Sequence, residues 1–271
     1  MRLRNERGGS WLLLIAALAA TASAEAPLPP TADEVVALVN ARDDGETMVQ
    51  TLSMRLVDRR GRVREREVRT YRRYEGPDRQ SIVVFEAPKN LQGTAFLTWD
   101  YREAGRVDDQ WLYLPAARKP RRISASARGS YFMGTDLTYE DVKNENRINA
   151  SDYGFEMLGE AMIGDVRCWR IGASPRDENV ANTLGYGRLE LLVDAERAVV
   201  RRLEAWDVND NPLKRVDFAD VREVDGIWTP HEIRAIHHKT GHRTVLTSRE
   251  VRYREALDGR LFQSRLMDRI R

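Results

Sequence analysis

Residues 212–237 read PLKRVDFADVREVDGIWTPHEIRAIH. Apolar and polar side chains alternate as far as Asp225-Gly226 and alternate again beyond it, the pattern of two antiparallel strands joined by a tight turn. The same grammar extends in both directions. Asn209-Asp210-Asn211-Pro212 sets this hairpin off from a run at 199–207, and Lys239-Thr240-Gly241 sets it off from one at 244–253. Runs of the same kind stand at 80–86, 94–101, 110–114, 121–124, 155–161, 165–173 and 187–194. Near the start, Met48, Leu52, Met54 and Leu56 alternate with polar residues up to the turn Asp58-Arg59-Arg60-Gly61. The stretch 63–74 follows, dense in Arg64, Glu65, Arg66, Glu67, Arg69, Arg72 and Arg73. It is read as a solvated strand with cross-strand ion pairs, in preference to a binding surface.

One helix is signalled. Thr31 and Glu34 have capping-box spacing, Val35, Val36, Leu38 and Val39 form an apolar stripe, and Asp43-Asp44-Gly45 ends it. About eleven strands with one N-terminal helix predict a mainly β (α+β) protein. The expected architecture is a single curved antiparallel sheet with short helices covering its concave face, a half-barrel able to enclose an apolar cavity. No Pro-Gly-Ser linker divides the chain, so residues 25–271 are read as one domain.

Residues 1–24 read differently. Arg2, Arg4 and Arg7 precede the apolar run Trp11–Ala20, and Ala22-Ser23-Ala24 follows. These are the three parts of a secretory signal peptide. The ten-residue run is half the roughly 20 residues a membrane anchor needs. The whole chain carries 44 Lys+Arg and 42 Asp+Glu, a formal charge of +2. The leader owns that excess, because the remainder balances at 41 and 41. A neutral mature chain argues against nucleic-acid binding, which calls for a basic excess on one face. With 32% charged and 42% hydrophobic residues, the chain is expected to fold rather than stay disordered. The single cysteine, Cys168, forms no internal disulfide and is read as a buried core residue.

The central segment, 80–143, carries the most specific signal. It contains Gly93-Thr94-Ala95-Phe96-Leu97, then Gln110-Trp111-Leu112-Tyr113-Leu114-Pro115, then Arg121-Arg122-Ile123, then Phe132-Met133-Gly134-Thr135-Asp136. Together these motifs resemble the outer-membrane lipoprotein-sorting proteins of the LolA-like superfamily, in the branch found alongside resistance-nodulation-division type exporters. The resemblance covers about sixty residues directly. It implies a periplasmic protein, an unclosed antiparallel β-barrel wrapped over helices, and an apolar cavity for acyl chains. The implied function is a carrier that binds a lipid or the acyl chains of a lipoprotein and moves it toward the outer membrane. Lipid or lipoprotein cargo, an inner-membrane exporter and an outer-membrane acceptor are the implied partners. A non-transporting adaptor working with such an exporter is the alternative. Elementary energetics agree with a carrier. An acyl chain exposed to water costs ~0.8 kcal/mol per CH₂, and a soluble shuttle must hide it.

Candidate residues follow. Phe96, Leu97, Trp99, Trp111, Tyr113, Tyr131, Phe132 and Met133 are read as lining a cavity in part, with ordinary core packing as the alternative. Gly129 and Gly134 flank the last three and could act as pivots. Arg118, Lys119, Arg121 and Arg122 form a cation cluster, a docking or headgroup site if it is more than a solvated strand edge. His231, His237, His238 and His242 lie within twelve residues but lack zinc spacing, so no metal is assigned. The pairs Asp108-Asp109 and Glu140-Asp141 are read as turn and cap residues, since neighbours on a strand face opposite ways. No Gly-x-Ser-x-Gly, His-Glu-x-x-His or phosphate-binding glycine loop occurs. A non-enzymatic monomer without cofactors is expected.

Overall fold

The computed structural model describes residues 29–103 and 105–270, and the expected leader, 1–24, lies outside them. The first strands are β1 Thr47–Val57, β2 Val63–Glu75, β3 Asp78–Ala87, β4 Ala95–Asp100, β5 Asp109–Tyr113 and β6 Arg121–Arg122. After a long connection come β7 Tyr153–Ile163, β8 Val166–Pro175, β9 Arg188–Asp194, β10 Val200–Trp206, β11 Pro212–Val224, β12 Ile227–His237 and β13 Arg243–Tyr253. All thirteen belong to one antiparallel sheet, in the order β6-β5-β4-β3-β2-β1-β13-β12-β11-β10-β9-β8-β7. The fold is thus mainly β, with few short helices. Every alternating stretch forms a strand of its own, down to the two-residue β6, so the total exceeds the expected eleven.

Two meanders, β1–β6 and β7–β13, meet where β1 pairs with β13. The outer strands β6 and β7 do not pair with each other, so the sheet curls without closing. Its curvature shows in the core. Phe85 of β3, Ile171 of β8 and Val216 of β11 lie far apart along the strand order, yet they pack in one buried cluster. Bulges at Thr51/Leu52, Glu67/Val68 and Met157/Gly159 add local bends.

Helix α1, Ala32–Ala41, begins in the expected capping box of Thr31 and Glu34. It buries Val35, Val36 and Val39 in the concave face, while Leu38 points to solvent. Two further helices are short, α2 Tyr139–Asn144 and α3 Glu178–Leu184. Each is capped by a side chain, Thr138 or Asp177, on a backbone N–H three residues on.

The opposite face also carries apolar residues. Ile82, Val84, Leu97 and Tyr113 are buried there beneath Phe262 and Met267 from two short 3₁₀ turns, Gly259–Phe262 and Ser264–Arg269. The C-terminal tail is therefore a cover for the outside of β3–β5. Cys168 is fully buried on β8, and burial pushes its thiol pKa up to about 11. Among the described residues no helix is long and apolar enough to cross a membrane.

Candidate functional site

The connection from β6 to β7, residues 123–152, crosses the concave face as a roof. Its anchor is Phe132, 1% exposed, whose ring stands 5.3 Å from Phe96, 5.5 Å from Tyr139 and 5.9 Å from Phe85. Polar bonds tie the rest down. The Asp136 carboxylate accepts from the Thr244 hydroxyl at 2.7 Å and lies 2.7 Å from His242 Nδ1. Asp141 accepts the Tyr186 hydroxyl at 3.1 Å and pairs with the fully buried Lys214 ammonium of β11. Glu140 lies 2.8 Å from both Arg128 and Lys143, and Lys143 also pairs with Asp108. Burial alone would raise the Glu140 pKa, but Lys143 and Arg128 outweigh it and bring it down to about 2. Gly129 sits where a Cβ would fall 2.6 Å from the Thr183 carbonyl oxygen, so the backbone there is wedged against α3 rather than free to swing.

Between roof and sheet lies a cavity of about 200 Å³. Val68, Val83, Leu191, Val200, Val216 and Leu246 wall it from six strands, and Phe132, Leu137, Val142 and Ile148 close it from the roof. These walls are apolar because inward positions recur every second residue along each strand.

One end of the cavity is different in kind. Arg42, Asp44, Arg72, Arg79, Glu145 and Arg147 line it, where the β2–β3 hairpin, the end of α1 and the last part of the roof converge. Arg72 and Arg79 are each 2% exposed. Arg72 pairs with Asp44, which also accepts the Tyr74 hydroxyl at 3.0 Å and lies 3.6 Å from Arg147. Arg79 approaches Asp100 at 3.5 Å and Glu145 at 3.7 Å, and donates to the Lys143 carbonyl. Arg42 donates to the Trp228 carbonyl at 2.8 Å, and burial lowers its pKa. Gly45 makes the corner: with φ +79° and a would-be Cβ 2.6 Å from the Tyr253 ring, the position admits only glycine.

The structure distributes the sequence-predicted residues over three places. Phe132 lines the cavity, with Phe96 directly behind it and Met133 packed on the same cluster. Tyr131 is 38% exposed and lies 5.6 Å from His237. Leu97, Trp99, Trp111 and Tyr113 gather on the opposite face, where Trp99 Nε1 donates to the Phe262 carbonyl at 2.9 Å. Arg118, Lys119, Arg121 and Arg122 are exposed along the β6 edge, and Arg122 pairs with Asp109. The histidines face separate partners: Thr229 for His231, Glu204 for His238, Asp136 for His242, and the Tyr131 ring for His237. Asp141 does cap α2, and Asp108 accepts from the Tyr101 N–H at 3.0 Å.

Residues 63–74 are corrected. Their odd-numbered positions face outward, where Arg69 pairs with Glu86 at 3.0 Å, Glu67 pairs with Arg249 at 2.8 Å and Tyr71 packs on the outer apolar cluster. The even-numbered Arg66, Val68, Thr70 and Arg72 are buried on the inner face. Sharing a face with Val68 was the signal that Arg72 points inward.

A protein-family model whose description reads "uncharacterized protein" matches residues 77–269, well over half of the chain. The chain belongs to the DUF1329 family. A crystallised DUF1329 protein from Desulfovibrio piger is 27% identical, with a TM-score of 0.79 over 86% of this chain and 96% of that one. A Vibrio parahaemolyticus domain ascribed to outer membrane lipoprotein sorting is 25% identical, with a TM-score of 0.79 over 88% and 98%. A LolA superfamily protein from Nitrosomonas europaea, 20% identical, matches with a TM-score of 0.64 over 87% and 98% and shows the shared fold. No curated protein sequence matches the chain significantly. The DUF1329 chain thus has a LolA-like fold: one antiparallel sheet, not closed into a barrel, around a short helical roof.

Proposed function

We propose that this protein is a non-enzymatic periplasmic carrier that holds a lipid, or the acyl chains of a lipoprotein, and moves it toward the outer membrane. One observation carries the reading: a roofed apolar cavity lies in the concave face of an unclosed sheet whose exterior is densely charged. The sorting role ascribed to the Vibrio domain of the same fold supports it. The cavity of about 200 Å³ is smaller than the ~300–1,000 Å³ of pockets that enclose drug-sized ligands. Loading a diacyl cargo therefore requires the roof to lift from the sheet. Affinity has to stay modest, since each CH₂ hidden from water adds ~0.8 kcal/mol to the cost of release into water. The expected leader at 1–24 fits an exported carrier.

The test is mass spectrometry of organic extracts from gently purified protein, together with displacement of a fluorescent fatty acid. Co-purified lipid and saturable displacement are expected. Lipid-free protein that binds no probe would overturn the carrier reading.

A second reading is an adaptor that docks on an exporter. What favours it is the exposed β6 edge, where Arg118, Lys119 and Arg121 form no ion pair among the described residues. Replacing Arg118, Lys119, Arg121 and Arg122 with Ser separates the two. An adaptor loses partner capture and keeps its lipid binding unchanged, whereas a carrier without edge docking changes in neither.

A further inference from the structure

The arginine end of the cavity has donors that nothing in the protein satisfies. Arg72 Nε and Arg42 Nε are buried without a hydrogen-bond partner, and Arg79 Nη1 has none nearer than the Glu145 carboxylate at 3.7 Å. Two of these belong to side chains only 2% exposed, and all three residues line the cavity. Buried polar groups are nearly always paired, because an orphaned donor costs about 1–3 kcal/mol. Three such donors on neighbouring guanidinium groups are an unfilled acceptor site. Charge says the same. Among the charged groups lining this end, Arg42, Arg72, Arg79 and Arg147 stand with Asp44 and Glu145, and Asp100 lies 3.5 Å from Arg79, which leaves one cation in excess there. Guanidinium groups are fixed donors that stay charged and match the oxygens of carboxylate and phosphate.

We infer that this end of the cavity binds the singly charged oxyanion head of an amphiphile, a phosphodiester or a carboxylate, while the apolar walls take its chain. The inference rests on the carrier reading and names the class of cargo. A singly charged head cancels the excess cation and accepts the three free N–H groups. The neighbouring Asp44 and Glu145 hold the guanidinium groups in place and disfavour a doubly charged head. The wall beyond, from Val68 to Leu246, continues the site without another charged group before the roof anchors at Glu140 and Asp141. A chain entering head first therefore has one end at which its charge is met.

A matched pair of ligands tests this on the full mature chain. Myristoyl lysophosphatidylglycerol and monomyristoylglycerol share one acyl chain and differ in the phosphodiester. The charged member is expected to bind at least tenfold tighter, the scale of one charge-assisted hydrogen bond. R42Q is expected to erase about tenfold of that advantage and leave the neutral ligand within twofold. R249Q, on the outer face against Glu67, serves as the control and leaves both affinities unchanged. Inorganic phosphate is expected to compete only at high millimolar concentration, because it lacks the chain. Equal binding of the two amphiphiles by the wild type would overturn the headgroup site and leave the carrier reading standing. Equal weakening of both by R42Q, or displacement by micromolar phosphate, would overturn it too. Binding of neither amphiphile would overturn both readings. The wild-type comparison needs no variant, so a misfolded R42Q does not blunt the test.

Discussion

Glu140 shows how single residues hold the roof. It is 3% exposed and bonded to Arg128 and Lys143. Its folded pKa of about 2 lies below the ordinary 4.5, so folding favours the charged form. Its contribution is complete above about pH 4.5 and is lost as the pH falls toward 2. The shift corresponds to something on the order of 3 kcal/mol. Urea unfolding at stepped pH should show stability falling through that window, and Glu140→Gln should start less stable and flatten the fall. A parallel decline in both proteins would assign the acid sensitivity elsewhere. Little of this was legible at the sequence level, where Glu140 is one member of an acidic pair and only Lys143 stands at helical spacing from it. Its partners come from the first part of the roof, Arg128, and from α2 itself, Lys143, and no spacing rule links Arg128 to Glu140. Arg72 was hidden for another reason. In a stretch as charged as 63–74, the period-two pattern is carried by Val68 and Thr70 alone.

At the scale of elements, α2 and the 3₁₀ turn before it, Phe132–Gly134, act as one cover riveted at Phe132, Asp136 and Asp141. Lys214→Met removes the buried cation that pairs with Asp141 while keeping its length. Breaking a buried pair from one side costs about 3–5 kcal/mol. Hydrogen exchange should quicken across residues 131–149 more than in β11, and fatty-acid probes should load faster. Uniform quickening over the sheet would mean that Lys214 supports the sheet instead of the cover. The elements themselves were largely readable. Alternation and turn residues marked all the strands, and Thr31 with Glu34 marked α1. The cavity wall was less so, because Leu97, Trp99, Trp111 and Tyr113 obey the same alternation as Phe96 but lie on the side that the tail covers. A strand pattern says which residues share a face, and only the curl of the sheet says which face is inside.

Across the whole molecule, the outer apolar patch makes residues 257–270 structural. Ending the chain at residue 256 removes Phe262 and Met267 and bares Ile82, Val84, Leu97 and Tyr113. At ~25 cal/mol per Å² of apolar surface, such a loss amounts to several kcal/mol. The truncated protein should bind a hydrophobic dye and self-associate on size exclusion, as exposed apolar patches do. A truncated chain that stays monomeric and silent to dye would show that the tail merely rests on the sheet.

The seam between β1 and β13 also sets an order in time. Every other pairing in the sheet joins strands that follow one another along the chain, so each meander assembles from local contacts. The seam joins segments as distant as Thr47 and Glu255, 208 positions apart, where the Thr47 hydroxyl donates to the Glu255 carbonyl. Contacts of such separation form slowly, and this one waits for the last strand to arrive. Until then β1 and β13 stand as bare edges open to the wrong partner. Arg243, Arg249, Glu250 and Arg252 along β13 keep that edge charged while it waits. The step that joins the two meanders into one sheet is thus the step that covers these two edges.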